Sequence, residues 1–243
     1  MPEGPSIVIL KEELQSFVGK KVLSVSGNTK VDLTPLLNAK IIDIKSWGKQ
    51  LLICFNKFYL RIHLLMFGSY KINESKEMAV RLKIKVKGHE VNFYNCSVRL
   101  IEGDVNEDYD WEVDVMSDQW NAKKAFEYLK KKPEMKVCDA LLDQQLFAGS
   151  GNIIKNEVLF RIRVHPDSKI GALPLKKLKE LVKEVPNYSK DFYKWKKEYV
   201  FRAHWQIYKK KECPRCKIRS QHYYTGKTNR LTYCCANCQL LYS

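Results

Sequence analysis

No stretch of about 18 apolar residues occurs in this 243-residue chain, so no segment reads as a membrane span. The N-terminus likewise lacks the apolar run of an export signal, since Lys11, Glu12 and Glu13 stand where that run belongs. Internal repeats and low-complexity tracts are missing too, which sets aside solenoids and arrays. With 45% hydrophobic and 29% charged residues, the chain is neither disordered as a whole nor a short disulfide scaffold. The sharpest shortage is of negative charge toward the C-terminus. Residues 168–243 carry 5 acidic side chains against 18 basic ones, whereas residues 1–167 carry 22 against 25. Most of the +16 net charge therefore lies in the last third. A polyanionic partner is the first expectation, with phosphate ahead of an anionic membrane surface.

The residues that are present follow two periods. After Pro5, Ile7, Leu10, Leu14 and Phe17 recur at helical spacing, which predicts an amphipathic helix over 4–18. The period then becomes two. Leu60, Ile62 and Leu64 alternate with Arg61 and His63, and Leu82, Ile84 and Val86 alternate with lysines. Together with 22–25, 41–47, 51–55, 91–94 and 98–101 this gives seven strands without helices between them, the pattern of an antiparallel sandwich or barrel. From Glu102 to Asp118 there are eight acidic residues and no basic one, which reads as a solvated connector. Beyond it, apolar residues at 3.6-residue spacing predict a helical domain to about 210. The expected fold is α+β, with a β-sandwich domain over 1–110, a helical domain over 119–208 and a small metal-bound unit over 209–243.

That last unit follows from the cysteines. Cys54, Cys96 and Cys138 sit in apolar runs and read as core fillers, whereas five of the eight cysteines cluster between 213 and 238. Cys213-Pro-Arg-Cys216 and Cys235-Ala-Asn-Cys238 are two CxxC pairs separated by 18 residues. Such a spacing lets two tight turns present four thiolates to one zinc ion, which then has no open position and is structural. Pairing Cys235 with Cys238 leaves Cys234 as a neighbour. A redox role would call for a strand-helix-strand setting that is missing here. Lys217, Arg219, Lys227 and Arg230 lie between the pairs among Tyr223, Tyr224 and Tyr233, a mixture suited to phosphate contact and stacking, or simply a solvated hairpin tip.

Two further segments carry chemistry. Ala148-Gly149-Ser150-Gly151-Asn152 joins two helical patterns, and Asn152 is placed to cap the second, whose N-terminus would form an anion site; a plain helical hairpin turn is the alternative. At the start, Met1-Pro2-Glu3-Gly4-Pro5 would expose a secondary amine next to a carboxylic acid once Met1 is removed. An α-amine has a pKa near about 7.8 against about 10.4 for lysine, so a far larger share is free base at pH 7. Such an amine can attack the anomeric carbon of a nucleotide while the carboxyl group moves protons. The alternative is a helix start with Pro near its first turn.

The MPEGP start, the WGKQL and HLLMFGSY runs, the AGSGN joint and the terminal CxxC pairs resemble, in order and spacing, the formamidopyrimidine-DNA glycosylase and endonuclease VIII family. The resemblance implies a leading helix with an antiparallel β-sandwich, then a helix–two-turn–helix and a C-terminal four-cysteine zinc finger. It implies a bifunctional DNA glycosylase and AP lyase acting on damaged double-stranded DNA. Pro2 would be the Schiff-base nucleophile, Glu3 the acid/base and Lys49 a catalytic-site lysine near the lesion phosphate. Met66 would fill the gap left by the everted base, Asn152 would bind DNA backbone and Arg230 would grip a phosphate. Cys213, Cys216, Cys235 and Cys238 would hold one structural Zn2+.

There are departures. Ser6 stands where the family usually carries a second Glu, so a relay through that carboxylate is not carried over. The loop Asn95–Leu100 lacks the Arg-Arg-Phe used to probe the opposite strand, for which Arg99 is the partial substitute. MPEGP is nearer the endonuclease VIII branch and oxidised pyrimidines, HLLMFG nearer the formamidopyrimidine branch and oxidised purines. The expected protein is a monomeric enzyme of the cytoplasm, associated with the nucleoid through DNA. A non-catalytic damaged-DNA binder is the alternative, and a zinc-finger regulator would need a recognition helix that is not found.

Overall fold

The leading helix, α1 (Gly4–Glu13), buries Ile7 and Leu10 and lies against the strand pair β2 (Asp43–Trp47) and β3 (Gln50–Cys54). The computed structural model describes residues 2–243; removal of Met1 falls outside the described residues. Pro5 is accommodated because a first-turn residue needs no donor. The helix ends at Glu13, short of the expected 18, and Gln15–Phe17 form a 3-10 turn that still buries Phe17.

Two compact units divide at Asp110/Trp111. In the first, β1 (Val22–Ser26) precedes β2 and β3, followed by β4 (Phe58–His63), β5 (Ser69–Ile72), β6 (Leu82–Val86), β7 (His89–Tyr94) and β8 (Ser97–Glu102). They form two four-stranded antiparallel sheets, ordered β1-β6-β7-β5 and β2-β3-β4-β8. Each sheet turns its apolar face to one core: Ile44, Leu51, Ile53, Leu60, Ile62 and Val98 from one, Val22, Leu82, Ile84, Val86, Val91 and Phe93 from the other, with Ile7, Leu10, Leu14 and Phe17 of the α1 segment. The sandwich reading holds. Strand β5 was not anticipated, because Ser69–Ile72 is half-buried at every position and shows no alternation.

Most acidic side chains of 102–118 are exposed and the unit boundary falls within the segment, as expected of a connector, but its first part is ordered rather than free. Residues 104–110, beginning with the one-turn α2 (Val105–Asp108), fold over the outer face of the second sheet. Lys45 Nζ donates to Asn106 Oδ1 (2.7 Å), the Tyr59 hydroxyl to Asp108 Oδ2 (2.7 Å), Trp47 Nε1 to the Asp110 carbonyl (2.9 Å) and the Tyr109 hydroxyl to Gln50 Oε1 (3.2 Å). Acidic side chains belong here because the sheet face beneath them is basic and aromatic.

The second unit is helical. α3 (Ala122–Lys130) starts at Asn121, whose side chain accepts from Lys124 N–H; α4 (Val137–Ala140), α5 (Asn152–Arg161) and α6 (Leu175–Lys197) follow. Leu129, Leu141, Phe147, Ile154, Val158, Leu181 and Tyr188 fill its core. The chain then forms the hairpin β9 (Gln221–Thr225) and β10 (Arg230–Cys234), paired antiparallel. Cys54, Cys96 and Cys138 are free and buried. Among the described residues, no helix is long and apolar enough to cross a membrane.

Candidate active site and nucleic-acid interface

In the first unit, Glu3 is the residue before α1, in extended backbone (φ −117°, ψ 171°), and its side chain makes no capping bond to the helix. It is nonetheless fully buried. Lys49 sits at the tip of the β2–β3 hairpin, where Trp47 pairs with Gln50 and only Gly48 and Lys49 form the loop. Gly48 takes φ +55°, which a two-residue hairpin requires at its first loop position. Across the sheet, Gln50 faces His63. Burial holds the His63 imidazole below its usual pKa, and the charges of Lys49 and Arg61 add to that shift. His63 Nδ1 accepts from Leu65 N–H (3.0 Å), which leaves the other ring nitrogen to carry the proton. His63 was quoted in the sequence only as part of a motif; its place beside Lys49 follows from strand register, which no local signal reveals.

The loop after β4 turns sharply, with Gly68 N–H donating to the Leu64 carbonyl (2.7 Å) and Leu65 at φ +50°. The turn pushes apolar side chains outward. Met66 is 51% exposed and Phe67 80% exposed, so Met66 is not a core methionine. Arg99 lies within β8, as the strand expected over 98–101 places it, directly opposite Arg61 and with its side chain exposed. The loop itself has shrunk to Asn95–Cys96 between β7 and β8, because Val98 and Leu100 are drawn into the sandwich core.

In the second unit, the structure brings Asn152, Arg230 and the four cysteines onto one helix-and-hairpin assembly. Gly151, not Asn152, is the N-cap of α5. Asn152 is the first helical residue, and its Nδ2 donates to the Leu231 carbonyl (2.9 Å), next to Arg230. The other bonds repeat this pattern: Lys155 Nζ donates to Thr232 Oγ1 (2.6 Å), and Asn156 Oδ1 accepts from Tyr233 N–H (2.7 Å). Thus three polar residues of α5 grip three successive residues of β10. All three are buried, where an unmade hydrogen bond is costly, so the register of hairpin on helix is specified. The joint before α5 is clamped by Gln144, whose Oε1 accepts from Gly149 N–H (3.1 Å) while Nε2 donates to the Leu142 (2.9 Å) and Ser150 (3.0 Å) carbonyls. Ser150 Oγ is buried with no protein partner.

The sulfurs of Cys213, Cys216, Cys235 and Cys238 all lie within 4.8 Å of one another, a set that can hold a metal ion. The Cys213–Cys238 separation of 3.8 Å matches the edge of a tetrahedron with metal–sulfur bonds of about 2.3 Å. Burial and the neighbouring sulfurs push the Cys238 thiol up to about 12, whereas bonds from backbone N–H groups and the other sulfurs hold Cys213 below its usual value against burial. Cys216 N–H donates to Cys213 Sγ and Asn237 Nδ2 to Cys216 Sγ (3.4 and 3.3 Å), the outer bonds that orient thiolate ligands. Arg215 stacks 3.9 Å over the Phe160 ring and donates to its carbonyl, tying the knuckle to α5. Cys234 stands apart from the set, its sulfur 3.8 Å from His165 Nε2.

A helix-led β-sandwich followed by a helix–two-turn–helix body with a four-cysteine hairpin defines the architecture of a class of DNA glycosylases. The family model of the formamidopyrimidine-DNA glycosylase N-terminal domain matches residues 1–98, and that of the formamidopyrimidine-DNA glycosylase H2TH domain matches residues 112–190. Endonuclease 8-like 3 of Xenopus laevis is 29% identical over 231 residues, covering 90% of this chain and 38% of that protein. Endonuclease 8-like 2 of Bos taurus is 33% identical over 198 residues, covering 74% and 58%. The chain thus spans well under two thirds of the length of these relatives. A Lactococcus lactis Fpg (MutM) structure, solved with DNA containing an oxidised pyrimidine, superposes with TM-score 0.86 at 24% identity over 98% of this chain and 99% of that one. A viral DNA glycosylase superposes with TM-score 0.84 at 20% identity, covering 98% and 100%. The chain belongs to the formamidopyrimidine-DNA glycosylase and endonuclease VIII family, as an endonuclease VIII-like member.

Proposed function

We propose that this chain is a base-excision repair enzyme, a bifunctional DNA glycosylase and AP lyase that removes oxidised bases from double-stranded DNA through the amine of Pro2. The observation that carries the reading is Glu3: a carboxylic acid fully buried beside Pro2 that does no capping for the helix it precedes. Keeping an ionisable group out of water is costly, and active sites are where that cost is met.

With Met1 removed, the Pro2 nitrogen attacks C1′ of the damaged nucleotide and the N-glycosidic bond breaks, releasing the base. Glu3 donates a proton to the ring oxygen, the sugar opens, and the nitrogen lone pair closes to a C1′ iminium. Loss of a C2′ proton then expels the 3′ phosphate, a second elimination expels the 5′ phosphate, and water returns the amine. Lys49, at its hairpin tip, holds the lesion phosphate, and Met66 occupies the space of the flipped base, offsetting the loss of stacking. In the second unit the Asn152 amide donor is engaged with β10, so its part is to set Arg230 against a backbone phosphate, where the guanidinium fork suits the task. Arg99 reaches DNA from the sheet face. Cys213, Cys216, Cys235 and Cys238 would hold one Zn2+, whose task there would be structural, fixing the hairpin. The enzyme works as a monomer in the reducing compartment that holds the chromosome, the cytoplasm with its nucleoid.

Borohydride trapping on an oligonucleotide with one abasic site, followed by mass mapping, tests this reading. The expected adduct lies on Pro2. Pro2→Gly and Glu3→Gln are expected to slow base excision by about 100-fold or more, the scale of lost acid–base catalysis, while leaving affinity for an uncleavable abasic analogue nearly unchanged. Full-speed excision by either variant, or an adduct on another residue, overturns the assignment.

A further inference from the structure

Helix α6 turns one side to the core, burying Leu178, Leu181, Val182, Val185, Tyr188, Ser189 and Phe192. On its opposite side Lys176, Lys179, Lys183, Lys190, Lys194 and Lys197 are all exposed. At 100° per residue these six fall within an arc of about 80°, interrupted only by Asn187, and they run about 30 Å along the axis. No acidic residue lies within the arc. The helix does carry acids, but they turn aside: Glu184 and Asp191 are both held by Arg161 of α5 (2.8 and 2.9 Å), and Glu180 by Lys177 (2.6 Å). Glu198 comes only after the last turn. Lys176, Lys179, Lys183, Lys190 and Lys194 have no carboxylate within 4 Å among the described residues, and Lys197 leans on the Tyr193 hydroxyl (3.0 Å).

A helix face built for solubility alone mixes both signs, because Lys–Glu pairs three or four residues apart stabilise it and like charges at those spacings destabilise it. Four successive pairs on this stripe (176/179, 179/183, 190/194 and 194/197) are like-charged. Lys176 also stands in the first turn, at the positive end of the helix dipole, and that turn holds no acidic residue. Glu180 and Asp191, the acids of α6 three or four residues from these lysines, are bonded to Lys177 and Arg161 instead, which leaves the stripe open to an extended polyanion. Point charges on flexible stems, repeated over about nine base-pair steps, suit a duplex backbone and carry no base readout. The stripe is also separate from the Asn152–Arg230 site. α6 is tied to α5 at Arg161, nine residues and roughly 13 Å along the helix from Asn152.

We propose that the Lys176–Lys197 face of α6 is a second, sequence-independent surface for the phosphate backbone of duplex DNA. The DNA comes from either a distal part of the duplex already bound or from another duplex, and binding measurements separate the two. The full-length chain is compared with a Lys183→Gln, Lys190→Gln, Lys194→Gln variant and with a charge-matched control, Lys57→Gln, Lys85→Gln, Lys87→Gln. Glutamine has nearly the helix propensity of lysine, and circular dichroism checks that α6 persists. Affinities for undamaged 14- and 40-bp duplexes are measured against salt, together with capture of a labelled free duplex by protein on an immobilised one. On the 40-bp duplex the stripe variant is expected to lose about 2.7 from the salt slope, three phosphates' share, with the control unchanged and the 14-bp slope intact. That result without capture assigns the same duplex; loss of capture by the variant assigns a second one. Slopes and capture equal to the unaltered chain's overturn the proposal. So does an equal loss on the 14-bp duplex without capture, which would put the stripe in the primary track, or a loss confined to binding of phosphatidylserine vesicles. None of these readouts needs catalysis, so they stand or fall apart from the glycosylase reading.

Discussion

Gly68 shows how much a single residue decides in the exposed apolar loop. A Cβ built there would lie 2.0 Å from the Leu64 carbonyl oxygen and 2.7 Å from its carbon, both backbone atoms that cannot swing away. The glycine thus permits the tight i to i+4 closure that lifts Met66 and Phe67 off the sandwich. Gly68→Ala is expected to open that turn at a folding cost of about 1–3 kcal/mol and to lower excision at least tenfold, while the core residues of β4 stay packed. Thermal unfolding and single-turnover excision check it, and excision at the unaltered rate would remove the loop from the mechanism. Motif residues such as Pro2, Met66 and Arg230 were legible because their signature is local. Exposure is not local: the apolar run around Met66 reads equally well as core, and only the backbone turn decides that it faces outward.

At the scale of elements, the helix and the hairpin hold one another through polar groups. Asp167 is a second such tie, accepting from Lys136 Nζ at the start of α4 (2.8 Å), from the Tyr223 hydroxyl (2.7 Å) and from Thr225 Oγ1 of β9. Burial alone would raise its carboxyl pKa, yet these donors hold it below the usual value, and Asp167 correspondingly raises Lys136. A depressed carboxyl contributes stability that is full above the unfolded value of about 3.9 and is lost as pH falls through the folded one; the raised lysine contributes below about 10.4 and fades above it. The tie is therefore complete between roughly pH 5 and 10. Asp167→Asn is expected to cost about 1 kcal/mol at pH 7, the scale of a partly exposed charged pair, and less at pH 3, where the contribution is already falling. Denaturation midpoints at the two pH values check this; an equal loss at both would make the tie one of shape rather than charge. Such pairings were not legible in the sequence, since Asn152 and Leu231 stand 79 residues apart. Asn152 in a glycine-rich joint reads as a cap, but Gly151 takes that position and frees the amide for β10. The acidic run likewise reads as a linker, and the order of its first part shows only once the basic, aromatic sheet face beneath it is known.

For the molecule as a whole, the four-cysteine cluster is the point on which the second unit turns. The hairpin segment contributes little apolar area of its own: its core is Phe160, Ile207, Cys213 and Cys235, and two of those four belong to the set that can hold a metal. Without a metal no bond closes the two knuckles, so the hairpin loses what offsets its chain entropy. The consequence extends beyond the finger, because Asn152, Lys155 and Asn156 are buried against β10 and would be left without partners when it detaches. Chelation is therefore expected to abolish amide-exchange protection in β9 and β10, to raise exchange in the leading turns of α5, and to leave the β-sandwich unit protected. Phosphate-dependent DNA affinity is expected to fall with it. If α5 keeps its protection after the hairpin has lost its own, the helix start is organised by Gln144 and the joint alone. Arg230 would then depend on the metal and Asn152 would not, and the two residues would cease to be one site.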